Sequence, residues 1–195
     1  MKKILKFIAG LPYKFFLWAF IICGIVCILA LRHNNQQMIK LRDAVYTADK
    51  NNGDVNTALN NLRRYVYSHM NTDLSSGNNN IKPPIQLKYT YQRLIDSEQS
   101  QLQAANSQIY TDAQNYCQSI NHAYYGTTRV PCVQAYVSSH GVDTTLAPVP
   151  TGLYEFDFVS PSWSPDLAGW SLALSIVFFM AFIVRYSFYK LANKK

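Results

Sequence analysis

The feature that most constrains this chain is an uncharged apolar run of 18 residues near its C-terminus, Leu167–Val184 (LAGWSLALSIVFFMAFIV). Only one glycine and two serines interrupt it, and Arg185 follows at once. As an α-helix the run would be about 27 Å long, close to the thickness of the hydrocarbon core of a bilayer. A core helix of a soluble protein normally has a polar face, which this run lacks. We therefore expect a transmembrane helix over residues 167–185.

A second apolar run, Phe15–Leu31, lies near the start of the chain and ends at Arg32. A cleaved signal peptide is the competing interpretation, because a basic start followed by an apolar centre is typical of one. No small-residue cleavage site follows this run. We therefore expect a retained transmembrane helix over residues 15–32, so that the chain is anchored twice.

Charge is distributed unevenly along the chain, with 18 basic and 11 acidic residues and a net charge of +7. All acidic residues lie between Asp43 and Asp166, whereas both ends of the chain carry only basic charge. Basic residues beside apolar spans mark the cytoplasmic side of a membrane. We therefore expect the lipid bilayer as a partner, no nucleic-acid binding, cytoplasmic tails at residues 1–14 and 186–195, and an extracytoplasmic segment of about residues 33–166.

Helical periodicity predicts an all-α fold in which the two transmembrane helices flank an extracytoplasmic helical domain, residues 33–140. The first helix should continue outward until Gly53 ends it and Asp54 caps the next, which runs to about His69. After a polar loop, Ile85–Tyr125 predicts a helix of about 60 Å if it is unbroken. Its apolar stripe needs a partner, and the two shorter helices before it are the nearest candidates. The simplest solution is a bundle of three or four helices.

The membrane-proximal segment, residues 141–166, contains four prolines and a short alternating stretch, Leu153–Val159. That alternation is typical of a β-strand, or of an aromatic segment that lies against lipid headgroups. The sequence therefore predicts a short β or irregular segment before the second span.

Cys117 and Cys132 are the cysteines outside the two apolar runs. Outside the cytoplasm such a pair is expected to form a disulfide, which for a loop of this size contributes about 3 kcal/mol in the chain-entropy picture. His122 and His140 lie nearby, and a zinc site is the alternative. The spacing of the four residues fits no common structural zinc pattern, so we predict the disulfide and no metal.

Small residues recur at four-residue steps in both apolar runs. Ala19, Cys23 and Cys27 form one stripe, and Gly169 and Ala173 form another. Such stripes allow two membrane helices to approach closely. We expect these residues to lie at packed helix surfaces within the bilayer.

No motif for nucleophilic, metal-dependent or phosphate chemistry is found, so we predict no catalytic residue, no cofactor and no enzymatic activity. Eleven of the 14 tyrosines fall in the predicted exterior. Tyrosine supplies contact area and a hydrogen bond with little loss of rotamer entropy, which suits a binding surface. The alternative is that these tyrosines pack a small core. The predicted partner contacts are Tyr89, Tyr91, Tyr124 and Tyr125.

The stretch LRDAVYTADKNNGDVNTALNNLRRYVYSHMNTDLSSGNNNIKPPIQLKYTYQRL resembles a family of small two-span membrane proteins from host-attached bacteria of the Saccharibacteria group. This resemblance implies the two-span arrangement and carries over no activity. The architecture is also similar to that of polysaccharide co-polymerases, which regulate glycan chain length. The spacing Pro161-x-x-x-Pro165-x-x-x-Gly169 approaches the denser proline-glycine motif of those proteins.

These patterns favour a non-enzymatic protein of the bacterial cell envelope. Its exterior would bind a protein or cell-wall partner, or scaffold a membrane complex, and a homo-oligomer is one form that such a complex could take. The alternatives are a co-polymerase-like regulator of glycan chain length and a ligand-sensing exterior that acts through a partner.

Overall fold

The computed structural model describes residues 11–77, 80–120, 129–141 and 145–192 of the 195-residue chain. This part of the chain contains five α-helices and two short strands: α1 (Tyr13–Lys50), α2 (Val55–Ser68), β1 (Ile85–Gln86), α3 (Lys88–Ile120), α4 (Arg129–His140), β2 (Glu155–Phe156) and α5 (Leu167–Ala192). The two strands pair, and a short 3-10 helix, Thr151–Leu153, precedes β2. The prediction of a mainly helical fold is confirmed.

The chain divides into two compact units. Unit 1 comprises the residues up to Ile85 and those from Phe156 onward, and unit 2 comprises Gln86–Glu155. Within unit 1, α1 contacts both α2 and α5, and within unit 2, α3 contacts α4. The segment 33–140, which the sequence analysis treats as one helical domain, is therefore shared between the two units. Within unit 2, the partner of the long helix α3 is α4.

Helices α1 and α5 are both long and apolar enough to cross a membrane. The two helices pack antiparallel, because residues later in α1 contact residues earlier in α5. The ring pairs that show this are Tyr13 with Tyr189 at 5.0 Å and Phe20 with Phe179 at 5.0 Å. The start of α1 and the end of α5 consequently lie together, and there the Arg185 guanidinium donates a hydrogen bond to the Leu11 carbonyl at 2.9 Å.

Helix α1 continues well beyond its apolar half, as its sequence predicts. Its 38 residues correspond to about 57 Å, roughly twice the thickness of a hydrocarbon core. Helix α2 covers the second half, where Met38 and Val45 of α1 and Leu62 and Val66 of α2 are all fully buried. This small apolar core is the main packing surface between α1 and α2.

The turn between α1 and α2 also follows the sequence prediction. The Asp54 carboxylate accepts a hydrogen bond from the Thr57 backbone N–H at 2.9 Å, which caps the first turn of α2. Hydrogen bonds from Thr57 to the Asp54 carboxylate keep the pKa of Asp54 below its usual value. The predicted cap at Asp54 is therefore confirmed.

Unit 2 consists of a long helix with a short one against it. Helix α3 has 33 residues, about 50 Å in length, and it begins at Lys88 because Ile85 and Gln86 pair in the sheet. A disulfide joins Cys117 of α3 to Cys132 of α4, with 6.0 Å between their Cα atoms. The predicted disulfide is confirmed. In this structure both thiols are consumed in the bond and therefore do not serve as zinc ligands. His122 lies outside the described residues.

Candidate functional site

The predicted tyrosine contacts fall in unit 2. Tyr89 and Tyr91 lie in the first turn of α3, with 43% and 39% of their surfaces exposed. The Tyr91 ring also packs against that of Tyr154, with 4.7 Å between ring centroids. Tyr124 and Tyr125 lie outside the described residues.

On α1, the predicted small-residue stripe runs along the surface that faces α5. Cys27 is buried and its thiol points at the Ala168 carbonyl oxygen at 3.7 Å, while Ala19 and Cys23 are half-buried. Between them, a side chain at Gly24 would meet only the Ser175 hydroxyl, at 3.9 Å. This glycine could therefore accept a methyl group without moving the helices.

On α5, the buried small residues are Ala168, Ser171 and Ser175, whereas the predicted Ala173 is only half-buried. Gly169 is buried, but for a reason that the sequence analysis did not identify. A Cβ atom at residue 169 would overlap the carbonyl oxygen of Ser164. The small size of Gly169 is therefore required by the segment that leads into α5, rather than by the approach of α1.

Asp166 organises that segment. Its Oδ1 accepts hydrogen bonds from the Gly169 backbone N–H and from the Ser164 hydroxyl, both at 2.9 Å, and its Oδ2 accepts one from the Asn34 amide at 2.7 Å. A carboxylate that accepts from the third N–H of a helix is an N-cap. Asp166 therefore begins α5 and ties it to α1 at the end of the apolar region.

The loop after α2 joins the same cluster through Met70. The Met70 backbone N–H donates to the Ser164 hydroxyl at 3.0 Å, and the Met70 carbonyl accepts from the Asn34 amide at 3.3 Å. Asn34 and Ser164 are both buried. Buried polar groups stabilise a structure only when they are hydrogen-bonded, and both of these side chains form hydrogen bonds. Three separate parts of the chain are thus fixed at one point.

The carboxylate of Asp166 is held in its charged form. Burial alone would raise its pKa, but the hydrogen bonds from Gly169, Asn34 and Ser164, together with the nearby His69, lower the pKa below its usual value. Tyr65 responds in the opposite way, since burial and the charge of Asp166 raise its pKa. The Tyr65 hydroxyl therefore stays protonated at neutral pH beside a fixed negative charge.

An open cleft of about 580 Å³ lies beside Asp166 within unit 1. One side is apolar and comes from the two long apolar helices, α1 and α5, and the other side is polar. The apolar side is formed by Val26, Leu29, Ala30 and Leu167, with Leu41 further along α1. The polar side is formed by His33, Asn34, Gln37, Tyr65, His69 and Asp166. We call this feature the boundary cleft.

Two aromatic rings form a flat wall of the boundary cleft. Tyr65 and His69 stack with 4.0 Å between ring centroids and an angle of 16° between their planes. They lie one helical turn apart at the end of α2, so their spacing places both rings on one side. The cleft therefore combines a fixed carboxylate, a flat aromatic surface and an apolar channel, which together suit an amphipathic ligand.

None of the site residues predicted from the sequence lines the boundary cleft. Ser164-Pro165-Asp166 directly before an apolar run is a helix-start signal, because Asp is a favoured N-cap and the capped N–H lies three residues later. That signal could have identified Asp166. Nothing in the sequence could have paired it with Asn34, which lies 132 positions away.

Within the described residues, no three histidine, cysteine, aspartate or glutamate side chains are grouped closely enough to hold a metal ion. Comparison with protein-family models, with curated proteins and with solved structures gives no match for this chain.

Proposed function

We propose that this chain is a non-enzymatic membrane protein of the cell envelope, and that unit 2 binds a protein partner outside the membrane and so scaffolds a membrane complex. Helices α1 and α5 would anchor it, with both ends in the cytoplasm. The observation that carries the proposal is the exposure of large aromatic side chains along α3, on a unit separate from the two apolar helices.

The opposite directions of α1 and α5 support the membrane arrangement. Since the start of α1 and the end of α5 lie together, both chain ends would be on one side of the bilayer. Lys14, Arg185 and Lys190 belong to this end. Basic residues next to a span favour the cytoplasmic side. Residues after the first span, including all of unit 2, would then be extracytoplasmic.

The surface of α3 supports the binding role. Tyr110 is 48% exposed and Tyr116 is 50% exposed, although both are large rings in a mainly polar helix. Val130 at the start of α4 is exposed as well. Tyrosine and apolar side chains at the surface contribute contact area in protein interfaces. A folded partner could bury these side chains without any change in the helix.

The test is photo-crosslinking in native membranes. A benzophenone amino acid replaces Tyr110, and the matched control replaces Gln108, which is also exposed and lies roughly opposite Tyr110 at about 100° per residue. We expect one discrete adduct from position 110 and none from position 108, with the partner identified by mass spectrometry. Equal adducts at the two positions, or none at either, would contradict the proposed binding surface.

The mass of the adduct also separates the alternatives. An adduct of this chain with a different protein supports the scaffold. An adduct between two copies of this chain would instead support the co-polymerase-like regulator, which acts as an oligomer.

A further inference from the structure

We propose that the boundary cleft binds the headgroup of a phospholipid that carries a primary amine, of the phosphatidylethanolamine class, from the extracytoplasmic leaflet. This inference rests on the proposed membrane arrangement, because that arrangement puts the cleft at the level of the headgroups.

The apolar side of the cleft would face the lipid chains. Leu29 and Leu167 are 60% and 66% exposed, and they lie at the ends of the apolar runs that reach the polar cluster. Val26 continues the apolar side one turn further along α1. An acyl chain lying here would cover these side chains while its headgroup reached the polar side.

The carboxylate of Asp166 selects the charge of the headgroup. Two carboxylate oxygens offer about four acceptor positions, and Oδ1 accepts two hydrogen bonds while Oδ2 accepts one. One acceptor position on Oδ2 therefore remains for a ligand. An ammonium group can donate to it and neutralise its charge, whereas an anionic headgroup such as phosphatidylglycerol would be repelled.

The rest of the polar side favours a primary amine over a quaternary one. Gln37 and the imidazole of His33 line the cleft, and the Gln37 amide oxygen and a neutral imidazole nitrogen can each accept a hydrogen bond. Ethanolamine has N–H donors for such acceptors, and choline has none. The Tyr65 ring, which also lines the cleft, adds an aromatic face for an ammonium group.

The size of the cleft is suitable. Its volume of about 580 Å³ falls within the range of small-molecule sites, about 300–1,000 Å³. It can therefore hold a headgroup with its glycerol, while the acyl chains remain in the bilayer. A charge-assisted hydrogen bond is worth about 1.5–3 kcal/mol, which corresponds to a preference of about tenfold or more.

The test uses the full chain in detergent, stripped of its own lipid, and native mass spectrometry. Phosphatidylethanolamine, phosphatidylcholine and phosphatidylglycerol with identical acyl chains are added in competition. We expect phosphatidylethanolamine to be retained about tenfold over each of the others. Equal retention of the three lipids, or preference for phosphatidylglycerol, would overturn the proposal.

Two substitutions locate the binding. Leu29→Trp should fill the cleft and remove the preference. Its matched control, Ile28→Trp, changes a neighbouring residue that is equally exposed, at 67%, and does not line the cleft, so the preference should persist. Asp166→Asn should reduce the preference by removing the negative charge. A preference that survives both Leu29→Trp and Asp166→Asn would overturn the assignment to this cleft.

The crosslink at position 110 is measured on the same variants. If a variant loses the lipid preference but still forms the crosslink, its substitution has affected the cleft and not the binding surface of unit 2. If the wild-type chain shows no lipid preference but still forms the crosslink, the lipid site fails and the scaffold stands. If the preference is present and the crosslink is absent, the scaffold fails and the lipid site stands.

Discussion

The two units of this chain are stabilised in different ways. Unit 1 joins three distant parts of the sequence through a compact apolar core and through the polar cluster around Asp166. Unit 2 has few buried apolar side chains among its described residues, namely Leu87, Ala113 and Cys117. It has instead a covalent link between α3 and α4. The first unit depends on side-chain fit, and the second depends on the disulfide.

This difference follows from the amino-acid composition of the two units. The face of α3 that does not pack is rich in glutamine, serine and asparagine, so it cannot bury much apolar surface, which is the main favourable term in folding. Without such a core, a small unit needs another source of stability, and a disulfide supplies it by restricting the unfolded chain. The limited core also leaves the rings of α3 exposed.

The largest expected loss of stability comes from Cys117→Ser, which removes the disulfide of unit 2. Because the bond closes a loop of 15 residues, its removal should cost about 3 kcal/mol. Hydrogen exchange followed by mass spectrometry should show loss of protection in α4 and the end of α3, with α1 and α2 unchanged. The control is Cys23→Ser, which removes a free thiol. Unchanged protection in α4 under oxidising conditions would contradict this account.

The next effect comes from Gly169→Ala, which disturbs unit 1. The added methyl group would overlap the Ser164 carbonyl, and forced overpacking typically costs about 1–3 kcal/mol. Thermal unfolding in detergent should show a clear fall in Tm. Gly24→Ala is the control, since its methyl group would meet only the Ser175 hydroxyl at 3.9 Å. An equal fall in Tm for the two substitutions would mean that the close approach of Gly169 to the Ser164 carbonyl does not limit the size of the side chain at residue 169.

The smallest effect is the pH dependence of Asp166. Its native pKa lies below the ordinary value of 3.8, so its charge stabilises the fold above that pH, and the stabilisation disappears as pH falls through the lowered native pKa. At neutral pH, Asp166→Asn should cost about 0.3–1 kcal/mol, the usual contribution of a negative charge at a helix start. The difference in Tm between wild type and variant should vanish in acid. A difference that does not decrease as the pH falls below 3.8 would contradict this sign.

Much of the fold could be predicted from local sequence signals. Apolar length predicted the start of α5 and the first half of α1, and Asp54 predicted the start of α2. The end of α5 was not predicted, because the helix continues past residue 185 to Ala192. The placement of Cys117 and Cys132 in the predicted exterior, outside the two apolar runs, predicted the bond between them. Each signal works because its physical cause lies within about fifteen residues of chain.

What the sequence could not predict depends on distant contacts. The periodicity of α3 indicated an apolar stripe but not its partner, because any complementary helix would satisfy it. Gly169 looked like part of a helix-packing stripe, although its neighbour is the Ser164 carbonyl five residues earlier. The boundary cleft requires Asn34, His69 and Asp166 to meet, and no local pattern links these residues.

The central claim is that the chain crosses the membrane twice, with unit 2 outside and both ends inside. The most direct test is labelling of single introduced cysteines with a membrane-impermeant maleimide, in a background where Cys23 and Cys27 are serine. We predict that Ser100→Cys on α3 is labelled in intact cells, and that Lys190→Cys near the end of α5 is labelled only after the membrane is opened. Labelling of Lys190→Cys in intact cells, or protection of Ser100→Cys, would contradict the account.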